Sequence, residues 1–318
     1  YFRDFAENKG KFTPGAQNIE VVNKKGESIG TMMQNAPMMD FSVVSRNGVA
    51  ALVGDQYIVS VAHNVGYSGV DFGMEGSNPD QHRFGYNIVK RHNYKNDSTH
   101  PYMTDYHNPR LAKFVTEAAP IEMVPKMQGS TYSDLEKYPM RVRIGSGRQV
   151  VRDAQDKDTE VSGAYHYRTA GNTFMQGWAN NGEVSLSGDV RYPNQYGPLP
   201  ISGSGGDSGS PMFIYDKTAG KWLINGVLRS GHPYEGKENT YQIARKDYLD
   251  EVIADDLLSL FDFTAASYDW TADGNGSGKL TKGGRVAANT PLANYSLPSS
   301  GSDESFGYGG PNPYMPAL

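Results

Sequence analysis

The first 260 residues predict an all-β fold, built as barrels or a sandwich. Short runs of β-branched and aromatic residues bounded by turn residues recur as far as about residue 230. Gly at 37 and Pro at 18 make up about one residue in six, above average usage but below low-complexity levels. Helical spacing stands out in a single segment, near residue 247.

The expected strands are Phe41 to Ser45, Val49 to Val53, Tyr57 to His63, Phe84 to Val89, Arg141 to Ile144, Met212 to Tyr215 and Trp222 to Arg229. Gly54, Asp55 and Gln56 make the turn between the second and third of these. Lys217 to Gly220 forms a hairpin loop between the last two. Many short strands with tight turns favour barrels or a sandwich over an alternating βαβ chain. In KDYLDEVIADDLLSLF the apolar positions Leu249, Val252, Ile253, Leu257 and Leu260 recur at three- and four-residue spacing, with Asp247 as the expected N-cap. Residues 261–318 turn rich in Gly, Asn, Ser and Pro, with short strand-like pieces such as Gly278 to Leu280. A boundary near 260 follows, with the tail read as a linker and the first rungs of a longer β structure.

Composition excludes several classes. There is no cysteine, hence no thiol nucleophile, iron–sulfur cluster, disulfide scaffold or Cys-based zinc site. Net charge is −5, from 30 basic and 35 acidic residues spread along the chain, which argues against a nucleic-acid binder or a polybasic membrane anchor. Apolar stretches are only a few residues long, far short of a membrane span. The opening YFRDFAENKGKF lacks the apolar core of a signal peptide, and MPAL is an abrupt end; a trimmed piece of something longer is expected.

The sharpest chemical signal is GSGGDSGSP, Gly203 to Pro211. A nucleophilic serine needs a backbone tight enough to aim amide N–H groups at a developing oxyanion, and flanking glycines permit that geometry. Ser208 is the candidate nucleophile, with the Gly206 and Ser208 amides as its oxyanion hole. The plain alternative is an ordinary turn, since Gly, Asp and Ser are common turn residues. A serine also needs a base. Of His63, His82, His92, His100, His107, His166 and His232, His63 alone ends a strongly apolar strand, in YIVSVAHNVG. A carboxylate must then hold the imidazole tautomer. Asp71, Asp80, Asp97 and Asp105 lie between His63 and Ser208. Asp71 belongs to the next strand. Asp105, just ahead of an apolar run, is better anchored than Asp97 in its turn, though position leaves both open.

The chain order His, Asp, Ser is that of chymotrypsin-type enzymes. An early His, a mid-chain Asp and a late GDSG fit a chymotrypsin-like double β-barrel with the site between the barrels. Longer stretches carry a more specific likeness: FRDFAENKGKF, MMDFSVVSRNGVAALVGDQYIVSVAHNVG, NPDQHRF, HNPRLAKFVTEAAPIEM, YPMRVRIGSGRQ, GDSGSPMFIYD and KWLINGVLRSG. With these the sequence resembles the protease domain of the serine-protease autotransporters related to immunoglobulin A1 protease. The likeness runs from Phe2 to about Arg245 and is weakest between Val151 and Pro198 and after residue 260.

The resemblance implies His63, Asp105 and Ser208 as the triad, and it selects Asp105. It also implies a passenger secreted by a Gram-negative bacterium to its surface or beyond. Such a passenger continues into a parallel β-helix and a C-terminal membrane translocator. Host extracellular proteins or the passenger itself are the implied substrates, with no cofactor, no metal and no nucleic acid. The absence of cysteine suits a chain that must stay unfolded across the periplasm.

By analogy with chymotrypsin-type enzymes, Ser202, six residues before the nucleophile, forms the base of the primary specificity pocket. It offers no counter-charge to Lys or Arg, so an apolar residue is expected before the scissile bond. Leu228, Arg229, Ser230 and Gly231 form the edge that pairs with an extended substrate. Arg229 replaces the small residue expected there and narrows or polarises the pocket. Asp207 takes the place where digestive-type relatives bind a newly freed amine. No Ile-Val start is visible, so no activation cleavage of that kind is expected, and the partner of Asp207 is left open.

The other motifs are weaker. DGNGSGK from Asp273 opens like a calcium loop, but Gly284 falls where a bidentate Glu belongs. SGSGGDSGS lacks the G-K-[ST] ending of a phosphate loop. The 21 tyrosines read as sheet packing and solvated faces rather than as an adhesive surface. An adhesion module that keeps a protease fold as scaffold is the rival reading.

Overall fold

A computed structural model describes residues 1–73, 84–96, 98, 101–155, 157–161, 167–231, 238–261, 268–272 and 278–282. The chain divides into two compact units, residues 1–247 and 248–318. The described elements are mostly strands, in agreement with an all-β class.

The first unit opens with a short helix, α1 (Phe2–Ala6), and a hairpin of β1 (Ile19–Val22) and β2 (Ser28–Met32). Phe5 packs on Phe12 and Phe41, and Phe41 packs on Phe213, with ring centroids 5.2 to 6.1 Å apart. Each such pair adds about 0.5–1.5 kcal/mol beyond area burial, so this row of rings ties the N-terminal segment to the body of the unit.

Two antiparallel sheets follow. The first has the order β3-β4-β7-β6-β5, comprising β3 (Ala51–Gly54), β4 (Tyr57–Val59), β5 (Gly69–Phe72), β6 (Phe84–Lys90) and β7 (Arg110–Leu111). Val70 and Phe72 are buried while Gly69 and Asp71 are not, the period-two pattern of a strand with one face on a core. That core joins Leu52, Ile58, Val70, Phe72, Tyr86 and Leu111.

The second sheet has seven strands in the order β11-β8-β14-β15-β16-β13-β12. They are β8 (Arg141–Gly145), β11 (Thr169–Asn172), β12 (Gln176–Ala179), β13 (Glu183–Ser187), β14 (Pro211–Asp216), β15 (Lys221–Gly231) and β16 (Glu238–Ile243). Between β8 and β11, the strands β9 (Val150–Arg152) and β10 (Asp158–Glu160) make a separate hairpin. Lys217 to Gly220 closes the β14–β15 hairpin as expected, with the Ala219 amide donating to the Asp216 carboxylate at 2.9 Å and Gly220 at φ +66°.

Three local expectations are corrected. Phe41–Val43 is a 3₁₀ turn rather than a strand, because the Asp40 carboxylate accepts from the Ser42 amide at 2.8 Å and caps it. The strand from Tyr57 ends at Val59; Ser60 forms one further bridge, to His107, and His63 lies in the turn beyond. Asp247 is not the N-cap: α2 (Lys246–Phe261) starts one residue earlier, and Arg245 Nε donates to the Asp247 carboxylate at 3.1 Å. The acid therefore sits in the first turn, at the positive end of the helix dipole.

In the second unit, Leu249 and Val252 are buried, but Leu257 is exposed while Asp256 is buried, so the apolar spacing describes the helix only in part. β17 (Tyr268–Ala272) pairs antiparallel with β18 (Gly278–Lys282). Asp80, Asp97, His82, His100, His166, His232, Asp273 and residues 283–318 lie outside the described residues.

Candidate active site

The loop carrying Ser208 enters β14, while His63 and Asp105 sit on loops of the five-stranded sheet. Asp105 Oδ2 lies 2.5 Å from His63 Nδ1, and Asp105 Oδ1 accepts the His63 backbone N–H at 2.8 Å. Each carboxylate oxygen thus has its own task, one holding the ring and the other its backbone. Asp105 is buried, whereas the His63 side chain is about half exposed, at 48 %. This leaves the ring anchored on its Nδ1 edge and accessible on the other.

Ser208 is joined to the His63 loop through its backbone. The Asn64 side chain donates to the Ser208 carbonyl at 2.6 Å. Arg91 clamps the same loop, with Nη1 donating to the Asn64 carbonyl at 3.1 Å and Nη2 to the Val65 carbonyl at 3.2 Å and to the Tyr67 carbonyl. No hydrogen bond joins the Ser208 hydroxyl to His63 among the described residues.

Gly206 and Gly209 adopt φ +92° and +85°, left-handed backbone that side-chain-bearing residues rarely enter. A Cβ on Gly209 would lie 2.2 Å from Ser60 Oγ and 2.5 Å from the Val49 carbonyl. Glycine is therefore required where this loop presses on the first sheet. The Gly209 amide donates to the Leu228 carbonyl at 2.7 Å, and the Leu228 amide to the Ser210 carbonyl at 2.9 Å.

The expected substrate-side residues divide. Leu228 is buried, so it presents backbone rather than side chain. Ser230 and Gly231 are exposed, pairing on one edge with Thr240 and Asn239 after a register shift. Arg229 turns its guanidinium to Glu183 at 2.5 Å, where its charge is matched. Ser202 is half buried and gives its carbonyl to Arg143 Nη1 at 3.0 Å.

Two supporting groups escape the sequence reading. Gln242, fully buried, accepts the Asp105 amide at 3.1 Å on Oε1 and donates to Glu183 at 2.8 Å from Nε2. A hydrogen-bonded path thus runs from Arg229 through Glu183 and Gln242 to Asp105. His107 is the second. Burial first, and then the electrostatic influence of neighbouring Arg91 and His63, push its pKa down to about 3, while burial lifts that of Tyr67 to about 12. The Tyr67 hydroxyl therefore donates to His107 Nε2 at 2.8 Å, leaving Nδ1 to donate to Asn93 Oδ1 at 3.1 Å.

The consequence for stability has a definite sign. The unfolded chain protonates this histidine near 6.5, whereas the fold keeps it neutral down to about 3. Between those values the unfolded state binds more protons, so the contribution is intact above pH 6.5 and declines as pH falls towards 3. Each pKa unit corresponds to about 1.36 kcal/mol. Denaturant titrations from pH 7.5 to 4.5 are expected to show a shallower loss for His107→Gln than for wild type. Parallel profiles would remove His107 as a cause.

The immunoglobulin A1 protease family model matches residues 1–247, so the chain belongs to that family of serine peptidases. It is 62 % identical over its whole length to an adhesion and penetration protein autotransporter of Haemophilus influenzae, and spans 23 % of that protein. It is 32 % identical to an IgA-specific serine endopeptidase autotransporter of Neisseria gonorrhoeae, with 79 % of this chain and 19 % of that one covered. The crystal structure of the Haemophilus influenzae Hap adhesin matches at TM-score 0.74 and 59 % identity, covering 92 % of this chain and 30 % of that one. The chain is thus an autotransporter passenger segment, of a class secreted or displayed at the bacterial outer membrane. Both the family and the location agree with the resemblance read from sequence.

Proposed function

We propose that this chain is a serine endopeptidase that works through an acyl-enzyme. Residues 1–260 form the protease domain, whose two sheets are the walls of a chymotrypsin-like double barrel. Residues 261–318 are the linker and the start of a β-helical stem. The observation that carries the reading is the Asp105–His63 pair beside the Ser208 loop.

In the proposed reaction the Ser208 hydroxyl attacks the peptide carbonyl while His63 Nε2 takes its proton. The C–N bond breaks as His63 returns that proton to the leaving amine. Water then attacks the ester while losing a proton to the same nitrogen, and the ester C–O bond breaks as His63 returns that proton to Ser208 Oγ, releasing the acid and free serine. Asp105 holds Nδ1–H and stabilises the imidazolium. The serine–histidine bond is commonly open without substrate and closes as substrate docks. The Gly206 and Ser208 amides serve as the oxyanion hole, on a backbone that positive φ at Gly206 permits. Labelling by a fluorophosphonate probe tests the nucleophile.

Substrate lies along Ser230 and Gly231 as an added strand. The Ser202 carbonyl meets the Arg143 guanidinium, whose charge is already committed to Asp207. A neutral, apolar residue before the scissile bond is accordingly the expected preference. A peptide-library digest checks this, and dominant cleavage after Lys or Arg overturns it. Host extracellular proteins and the passenger itself are the proposed substrates. Adhesion by the complete passenger is a second reading, favoured by the name of the 62 % identical relative and compatible with proteolysis.

A further inference from the structure

We infer that Arg143 is a built-in counter-ion that locks the Ser208 loop in its reactive shape, so that the enzyme needs no proteolytically freed amine to become active. The inference rests on the proposed role of Ser208.

Asp207 is buried, and its carboxylate is completely engaged. Oδ1 accepts the Gly147 amide at 2.8 Å, and Oδ2 accepts the Ser204 amide at 2.9 Å while lying 3.3 Å from Arg143 Nη2. Arg143 is 1 % exposed. Its Nη1 donates to the Ser202 carbonyl and its Nη2 to Ser210 Oγ, both at 3.0 Å. One planar guanidinium therefore touches residues on both sides of Ser208. It rises from β8, with Arg143 paired to Gly171 of β11 on one side and Met212 of β14 on the other, so its base is rigid. The chain is shaped around the acid as well. A Cβ on Gly145 would fall 2.0 Å from Asp207 Oδ1, and one on Gly147 would fall 2.8 Å from its Cγ.

The chemistry follows from these contacts. A buried carboxylate needs a cation, and a loop that turns Asp207 inward is stable only where one waits. Holding that side chain inward fixes the peptides on either side of Asp207, which carry the Asp207 and Ser208 amides, and with them the orientation of the adjoining Gly206 residue. The Asp207 amide donates to the Ser204 carbonyl at 3.0 Å and the Ser210 amide to the Asp207 carbonyl at 2.9 Å, so the turn closes on itself. Where activation depends on a freed amine, the cation arrives only after cleavage. Here it is part of the seven-stranded sheet, and Asp207 is already matched by it. The fork geometry of arginine also reaches three loop positions at once, which an ammonium group cannot do.

The test compares the 318-residue chain with Arg143→Met and Arg143→Lys, using fluorophosphonate labelling rate, kcat and KM on a peptide ester, and circular dichroism. Arg143→Met is expected to label on the order of 100-fold more slowly, through kcat rather than KM, as for loss of an oxyanion-hole donor. Added methylguanidine is expected to restore at least about tenfold of that loss, which a merely structural defect would not permit. Folded Arg143→Met that labels at the wild-type rate overturns the inference but leaves Ser208 in place. A wild type that does not label overturns the reading of Ser208 on which the inference stands. Should Arg143→Met fail to fold, the native side chains decide: a chain extended ahead of Tyr1 keeps its labelling rate, whereas a tenfold loss shows that a free amine is required and removes Arg143 from this role.

Discussion

Ser208→Ala is expected to lose fluorophosphonate labelling entirely and to lower peptide cleavage on the order of 10⁵- to 10⁶-fold, with the thermal midpoint nearly unchanged. The expectation follows from what the substitution removes. The hydroxyl is the proposed nucleophile, and among the described residues none depends on it for a hydrogen bond. The loop is held instead by backbone and by Asp207, whose bonds to Gly147 and Ser204 do not involve the serine side chain. A residual rate above water is expected, because amide donors and substrate binding persist. Probe attachment that survives in Ser208→Ala would exclude this serine as the nucleophile.

Asp105→Asn is expected to lower kcat by about 10⁴-fold while substrate binding and fold are kept. The size of the effect comes from the two separate oxygens. Oδ1 already accepts the His63 backbone N–H, so an amide side chain keeps its oxygen there and turns its nitrogen towards Nδ1. That nitrogen donates, so Nδ1 must accept, and the ring proton moves to Nε2. The base then carries a proton at the one position where it must take one. Gln242 does not reverse this, because it meets Asp105 through the backbone amide and not through the carboxylate. The measurement is kcat and KM against pH for the two chains. A drop of less than tenfold would mean that Asp105 does not set the tautomer.

Much of the site was legible because its signals are local. Gly206 and Gly209 adopt positive φ, and the sequence pattern reported that need directly, since glycine beside serine is what such a loop requires. His63 was legible as the histidine that follows an apolar run, although the strand stops at Val59 and the ring is delivered by a turn. Asp105 was less so. Position alone left it beside Asp97, since the 42 residues that separate it from His63 carry no periodic signal of their meeting.

Arg143 and Gln242 were not legible at all. In MRVRIG the arginines alternate with apolar residues, the pattern of a strand with one wet face. Both Arg141 and Arg143 are nevertheless buried. Arg143 has Asp207 from a distant loop, and the same holds for Gln242, which reaches Asp105 from 137 residues away. The corrected element at Phe41–Val43 has the opposite cause, a local cap by Asp40 that outweighed the β propensity of its neighbours.

By itself, then, the sequence determined the strand-rich class, the hairpin at Lys217–Gly220, the glycine-framed serine and the family to which the chain belongs. These depend on backbone preferences and on residue order, which neighbours along the chain impose. Only the tertiary structure decided how the two Asp105 oxygens divide between the His63 ring and its backbone, that Arg229 is matched by Glu183, and that Asp207 has an arginine waiting for it. Such pairings depend on which strands lie side by side and what they exclude from water. A buried charge takes its meaning from the group opposite, and that group is chosen by packing of the whole unit.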